Sequence, residues 1–237
     1  MNYNWDWSLL LQAPNAALLV EGVAWTLAVT ALSWAIALVV GSVVGLTRSL
    51  AWAPGRIVAT AFVEVFRNVP PLVQLFLWFF VFPEVVPDGI GLWIKRDLPL
   101  PEFTTSVVCI GLFSAARVAE QVRAGIGLVR AKLLPAALAT GLRPAQAYRL
   151  VVLPVAMRSI IGPLTSELLI ATKMSSIGLT IGVLELTAQS QRIANDTFHG
   201  FEAYGAATAS YLVIGLAITG VMHLLAVWLR VPGLQAA

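Results

Sequence analysis

Residues 133–154, LLPAALATGLRPAQAYRLVVLP, form the one long polar and basic interval in a chain that is otherwise nearly continuous in apolar segments. Leu133–Thr140 favours a helix, Gly141 can adopt the left-handed conformation that ends a helix, and Pro144 suits the first turn of the next one. A glycine inside one unbroken helix would cost about 1 kcal/mol. The stretch therefore predicts two short helices separated by a break, which together form a bent finger exposed to water.

The rest of the composition indicates a membrane protein. The 237 residues are 59% hydrophobic and 11% charged, with a mean hydropathy of +0.85, which is far too apolar for a soluble domain. Apolar runs of about 20 residues recur, each long enough to cross about 30 Å of hydrocarbon as a helix. We predict an all-α polytopic membrane protein whose single transmembrane domain covers residues 1–237. Its five spans lie near residues 21–46, 57–82, 103–127, 155–185 (a broken span) and 201–229, and a cytoplasmic loop covers residues 130–154.

Basic residues decide the predicted orientation. No acidic residue occurs between Glu120 and Glu167, whereas the loop after the second span holds more acids than bases and the loop after the fourth holds one of each. The basic residues around the finger are Arg123, Arg130, Lys132, Arg143, Arg149 and Arg158. The positive-inside rule places this loop in the cytoplasm, and alternation over five spans then puts the N-terminus outside and the C-terminus inside. The start, MNYNWDW, has no basic n-region, so we expect no cleaved signal peptide.

Polar side chains inside the spans predict a translocation pathway, because charges in a membrane are expensive and usually face a partner or a wet cavity. Several recur at three- and four-residue spacing, which places them on one helix face. The first span offers a different signal, because Gly41 and Gly45 form a GxxxG pair that lets another helix approach closely. The candidate pathway residues are Glu64, Arg67, Asn68, Gln74, Arg117, Glu120, Gln121, Glu167 and Lys173.

Three of these candidates should share one depth. At 1.5 Å per residue, Arg67, Arg117 and Glu167 each lie roughly 15 Å inside the bilayer. Guanidinium forks beside a carboxylate suit a ligand that bears both signs of charge, such as an amino acid. The alternative is local pairing of Arg117 with Glu120 and of Arg67 with Glu64, which would leave nothing for a substrate.

Signatures of enzymes are absent from the sequence. It contains no HExxH, no GxSxG and no glycine-rich phosphate loop. Cys109 is the one cysteine, so no disulfide or thiolate metal site can form within the chain. We predict no catalytic residue, no metal site, no cofactor in this chain and no nucleic-acid partner, and the chain cannot hydrolyse ATP alone.

The finger carries a longer pattern, A-A-x3-G-x9-I/V-x-L-P, over residues 136–154. This pattern resembles the cytoplasmic coupling loop of permease subunits from ATP-binding-cassette importers, which docks in a cleft of the ATPase. The likeness extends over most of the chain to the polar amino-acid uptake permeases (the histidine, glutamine and glutamate family), and most closely to the glutamate/aspartate type. It rests on NWDWSLLLQAP, FRNVPPLVQ, GLWIK, GLFSAARVAEQVRA, PLTSE and KMSSI. Pro135 departs from the family's usual Glu, and Met174 from its usual Asp or Asn.

The resemblance implies a type I importer fold in the inner (plasma) membrane of a bacterium. It also implies two permease subunits, identical or different, two ATPase subunits that bind ATP and Mg²⁺, an external substrate-binding protein and an amino-acid substrate. The finger would act as a lever, through Pro135, Ala136, Ala137, Gly141, Pro144, Tyr148, Val151, Leu153 and Pro154. Rival interpretations are an ATP-independent channel, which leaves the finger unexplained, an intramembrane enzyme, which needs a nucleophile or metal cluster, and a permease subunit whose partner holds the substrate site.

Overall fold

The computed structural model describes residues 3–229, and every regular element in that range is helical. The α-helices are α1 (Asn15–Ser49), α2 (Ala53–Asn68), α3 (Pro71–Phe76), α4 (Phe82–Val85), α5 (Asp88–Arg96), α6 (Pro101–Ala139), α7 (Pro144–Ala147), α8 (Leu153–Ser159), α9 (Ile161–Met174), α10 (Leu186–Thr197) and α11 (Gly200–Trp228). Short 3-10 helices cover Trp7–Leu11 and Ser175–Ile181, and π-helical turns cover Leu77–Val81 and Tyr148–Val152.

The helix lengths agree with a polytopic membrane protein. Within the described range, α1, α6 and α11 are each long and apolar enough to cross a bilayer. Two interrupted stretches, 53–85 and 144–181, pass the same test when each is taken as one broken span. The chain therefore holds three to five candidate spans, and the predicted all-α class is confirmed. The span limits and the orientation stay predictions, and the C-terminal residues from Arg230 lie outside the described range.

Two compact units make up the described chain, and the long helices contribute to both. One unit comprises the residues up to 35 together with 69–111 and 170–216, and the other comprises 36–68, 112–169 and the residues from 217.

In the second unit, α1 and α6 pack backbone against backbone. A Cβ built on Gly41 would lie 2.7 Å from the carbonyl oxygen of Ala115, and one on Gly45 would lie 2.7 Å from that of Ala119. The GxxxG prediction of a close helix approach is thus confirmed. Because the contacts advance along both helices together, α1 and α6 run in the same direction there, as alternation requires of a first and a third span. Val63 of α2 packs on the same stretch of α6.

In the first unit, the helix α10 lies in the interval between the predicted fourth and fifth spans. Leu186 is fully buried, and a Cβ on Gly22 of α1 would lie 2.8 Å from its Cα. Glu185, also fully buried, caps α10 by accepting hydrogen bonds from the backbone N–H groups of Thr187 and Ala188, each at 2.9 Å. The Tyr211 hydroxyl donates to the same carboxylate at 2.7 Å. Satisfying every oxygen in this way makes burial of the carboxylate tolerable.

The N-terminal segment is held to the start of α11 in the same unit. Tyr3 and the backbone N–H of Asp6 both donate hydrogen bonds to the buried Glu202 carboxylate, the latter at 2.8 Å. Asp6 in turn accepts hydrogen bonds from the hydroxyl and the backbone N–H of Ser8. These bonds, the hydroxyl's first, hold the pKa of Asp6 below its usual range. The Asp6–Ser8 bonds are therefore present at neutral pH and are lost as acid protonates Asp6, whereas the contact with Glu202 uses the Asp6 backbone N–H.

Both π-helical turns end two residues before a proline, Pro83 in one case and Pro154 in the other. Proline lacks an N–H and clashes with the carbonyl four residues back in an α-helix. A wider turn relieves that clash by shifting the ring away from the carbonyl. Pro70 and Pro71 interrupt the second candidate span in the same way, because α2 ends at Asn68 and α3 begins at Pro71.

Candidate functional site

The finger has the predicted break but not the predicted first helix. Gly141 has φ +85°, in the left-handed region, and its N–H donates to the Leu138 carbonyl at 3.0 Å. Pro144 opens α7, as predicted. The preceding residues, however, are not a separate short helix but the end of the 39-residue α6. Pro135 lies inside it, where the carbonyl left without an amide partner is that of Ala131, an exposed residue open to water.

Exposure divides the predicted coupling residues into two groups. Pro135, Ala136, Gly141 and Pro144 are exposed. The other five are less exposed. Ala137 is buried, and the partly buried ones are Tyr148, Val151, Leu153 and Pro154. The first group can therefore meet a partner, whereas the second holds the finger's shape.

Sequence reasoning missed two apolar side chains on the exposed side of the finger. Leu138 is 41% exposed and Leu150 is 62% exposed. Arg143 and Arg149 are exposed close to them in sequence. An exposed apolar side chain beside basic residues suits a partner surface that is apolar at its centre and acidic at its edge. No local signal singled out Leu150, since it begins the apolar run 150–153 directly after Arg149.

The structure brings Arg117 of α6 and Glu167 of α9 together. Nε of Arg117 lies 2.5 Å from Oε2 of Glu167, and Nη2 lies 3.1 Å from Oε1. The side chain of Glu167 is only 6% exposed, and that of Arg117 is 34% exposed. The guanidinium also lies 5.9 Å from the centre of the Phe113 ring. This two-bond fork gives the buried carboxylate a partner for each oxygen while leaving part of the guanidinium accessible.

Arg67 does not join that pair. It lies 3.6 Å from Glu120 and 3.9 Å from Glu64, with 42% of its side chain exposed. Glu120 also accepts hydrogen bonds from Arg48 at 2.5 Å and from Arg123 at 3.0 Å. Of the three residues expected at one depth, two therefore meet, and the third belongs to a cluster centred one helical turn further along α6. The local alternative is half right, because Arg67 does approach Glu64 but Arg117 does not pair with Glu120.

The remaining pathway candidates have simpler surroundings. The Asn68 amide donates to Glu64 at 2.7 Å, and the buried Gln74 donates to the Val69 carbonyl at 2.8 Å. The side chains of Gln121 and Lys173 make no hydrogen bond or ion pair within residues 3–229. In that range no group of three or more His, Cys, Asp or Glu residues could hold a metal ion.

Comparison with known proteins covers almost the whole chain. A family model described as the binding-protein-dependent transport system inner membrane component matches residues 37–231. The chain is 41% identical over 244 residues to the glutamate/aspartate import permease protein GltJ of Escherichia coli (strain K12), covering 98% of each chain. It is 33% identical over 218 residues to the glutamine transport system permease protein GlnP of the same strain, covering 92% of this chain and 94% of that one.

Solved structures agree with these relationships. The crystal structure of an amino acid ABC transporter with histidines gives a TM-score of 0.80 at 29% identity, covering 94% of this chain and 99% of that one. An inward-facing structure of the MetNI methionine ABC transporter gives a TM-score of 0.73 at 22% identity, covering 93% of this chain and all of that one. The second likeness shows a shared fold.

Proposed function

Because the chain belongs to the family of binding-protein-dependent transport system inner membrane components, it is a multi-pass permease subunit of an inner-membrane importer, and we propose that it carries glutamate and aspartate. The 41% identity to GltJ along 98% of both chains supports this substrate class. This chain is the inner membrane component of the importer, and the ATPase is a separate subunit.

The observation that carries the proposed coupling mechanism is the exposed finger that reverses at Gly141 with φ +85°. We propose that a separate ATPase subunit grips Pro135, Ala136, Gly141, Pro144 and Leu150. Closure of an ATPase dimer around ATP and Mg²⁺ would then move the finger. A second permease subunit, similar to this one or to GltK, and an external binding protein complete the proposed assembly. The 29% identity over 215 residues to the glutamate/aspartate import permease protein GltK supports a paired permease.

The substrate is proposed to meet the Arg117–Glu167 pair. A carboxylate of an acidic amino acid can compete with Glu167 for the Arg117 fork, while its ammonium can take the Glu167 oxygens that are released. The bound substrate would thus replace the Arg117–Glu167 ion pair with two ion pairs of its own, so that every charge stays compensated while the substrate passes. The proposal predicts that Arg117→Gln slows uptake at least about tenfold, the order expected for one lost charge-assisted interaction.

Uptake by a reconstituted importer tests the proposal. The permease is assembled in proteoliposomes with its ATPase, second permease and binding protein, and labelled glutamate, aspartate, glutamine and arginine are supplied with and without ATP. We expect ATP-dependent uptake of the two acidic substrates. Arg56→Gln is the matched control for Arg117→Gln, because Arg56 is exposed and makes no ion pair within residues 3–229.

Each rival interpretation has its own outcome in this experiment. Uptake that ignores ATP would favour a channel. Normal uptake by Arg117→Gln, with the control also normal, would mean that the substrate site lies in the partner permease. Leu150→Glu should leave ATP hydrolysis by the ATPase subunit in place but uncouple it from uptake. Unchanged uptake by that variant would contradict the proposal that the ATPase contacts Leu150.

A further inference from the structure

A cavity of about 310 Å³ lies between the α3–α4 stretch, α5 and the start of α6. Phe79, Phe80 and Ile94 supply apolar walls, and Glu84, Lys95 and Glu102 supply charge. All of these residues belong to the first unit. The orientation predicted from the basic residues places this cavity at the outer side of the membrane, away from the finger.

The charges of the cavity do not cancel. Nζ of Lys95 lies 2.5 Å from Oε1 of Glu84, and their side chains are 42% and 65% exposed. Glu102, in the first turn of α6, is partly buried, and its carboxylate makes no hydrogen bond or ion pair within the described range. Two carboxylates and one ammonium among the lining residues leave one negative charge in excess. A ligand that brings a hydrogen-bonding cation to Glu102 would give that carboxylate a partner of opposite charge.

An apolar strip leads away from the cavity. Phe80 lines the cavity and is 56% exposed, and Leu77 and Val81 beside it in the π-helical turn are 48% and 50% exposed. Phe76, one residue earlier, is 39% exposed. This strip lies on the predicted second span, where a lipid chain is the natural neighbour of exposed apolar side chains. A charged recess at the end of an apolar strip matches the two halves of a phospholipid.

We propose that this cavity binds a phospholipid whose headgroup carries a primary ammonium. The ammonium donates to Glu102, the phosphate accepts from Lys95, and an acyl chain lies along Phe80 and Leu77. A phospholipid with a quaternary ammonium fits less well, since it has no N–H to donate to Glu102. An anionic phospholipid without an ammonium is disfavoured by the excess negative charge.

Native mass spectrometry of the purified permease tests the assignment. The protein is exchanged into equal amounts of phosphatidylethanolamine, phosphatidylcholine and phosphatidylglycerol, and the lipids retained after detergent removal are counted. We expect phosphatidylethanolamine to be retained at least about fivefold over either of the others. Glu102→Gln should remove that preference, and Glu102→Asp should restore part of it.

Asp88→Asn is the matched control, because Asp88 is an exposed acid on α5 without an ion pair within residues 3–229. It should retain lipid like the unaltered chain. The gel-filtration profile of each variant checks that Glu102→Gln still folds. Equal retention of the three lipids by the unaltered chain would overturn the proposal, as would an undiminished preference in a well-folded Glu102→Gln protein.

Discussion

Gly141 offers the sharpest test of what the finger does, because the effect of its backbone conformation can be tested separately from the effect of added side-chain bulk. Its φ of +85° is one that L-residues rarely adopt, yet a Cβ at this position would meet nothing within 4 Å. Gly141→Ala therefore introduces backbone strain without a clash. That strain is about 1–2 kcal/mol, which shifts the balance between turn and non-turn conformations by about 5- to 30-fold. Asparagine tolerates the left-handed region better than other residues, so Gly141→Asn should be milder.

Gly141→Trp adds bulk to the same strain, and the bulk matters only where a partner presses on the finger. We expect Gly141→Ala to lower ATP-driven aspartate uptake in proteoliposomes several-fold, and Gly141→Asn to lie between it and the unaltered chain. Gly141→Trp should abolish uptake and reduce the amount of ATPase that co-purifies, with unchanged permease in the membrane. Gly127→Ala is the control, because Gly127 lies in α6 and its added Cβ also meets nothing within 4 Å.

Two results would refute this reasoning in different ways. Uptake by Gly141→Trp equal to that of Gly141→Ala would show that nothing docks against the tip. Uptake by Gly141→Asn below that of Gly141→Ala would show that backbone conformation is not what the glycine supplies.

Two further predictions concern stability. Glu120→Gln removes the carboxylate that compensates Arg48, whose side chain is only 10% exposed, so the free energy of unfolding should fall by the lower part of the about 3–5 kcal/mol expected for a broken buried pair. Glu64→Gln affects an exposed ion pair at 3.9 Å and the exposed Asn68 hydrogen bond, whose acceptor oxygen the amide keeps, so it should change the free energy of unfolding by less than about 0.5 kcal/mol. Similar melting temperatures for the two variants would contradict the cluster's role. Gly41→Val should cost about 1–3 kcal/mol through overpacking against α6, whereas Gly220→Val, with nothing within 4 Å of its added Cβ, should melt close to the unaltered chain.

The finger's break could be predicted because its signals are local. Gly141 and Pro144 each act within their own turn, so no distant contact can override them. The length of α6 could not be predicted in the same way. The predicted span ended at residue 127, where the apolar run ends, but a helix leaving a membrane continues into water until a residue stops it. Nothing between Leu128 and Ala139 does so, and Pro135 is accommodated inside the helix.

Ion-pair partners were harder to predict than helix ends. The spacing on α6 offered Glu120 as a local partner of Arg117, whereas the estimate of depth grouped Arg117 with Glu167, and Glu167, 50 residues away, takes the fork. Residue spacing along one helix identifies only possible ion-pair partners on that helix. Tertiary packing determines which partner, on any helix, a charged side chain meets. Arg48 was missed for the same reason, because its partner Glu120 lies 72 residues away on another helix.

These contacts give the finger a direct physical route to the Arg117–Glu167 pair within the second unit. From Arg117 to Ala139, α6 is one continuous helix of about 33 Å at 1.5 Å per residue. A Cβ on Gly125 would lie 2.4 Å from Cγ2 of Ile160, so the two arms that rise from the finger touch at this point. Arg117 belongs to one arm and Glu167 to the continuation of the other. Because the arms meet below the ion pair, a force that tilts the finger must either move both side chains together or separate the arms above Gly125. In the first case the ion pair moves intact, and in the second the two hydrogen bonds between Arg117 and Glu167 break. Either way, Arg117 and Glu167 lie where a motion of the finger can change what they bind.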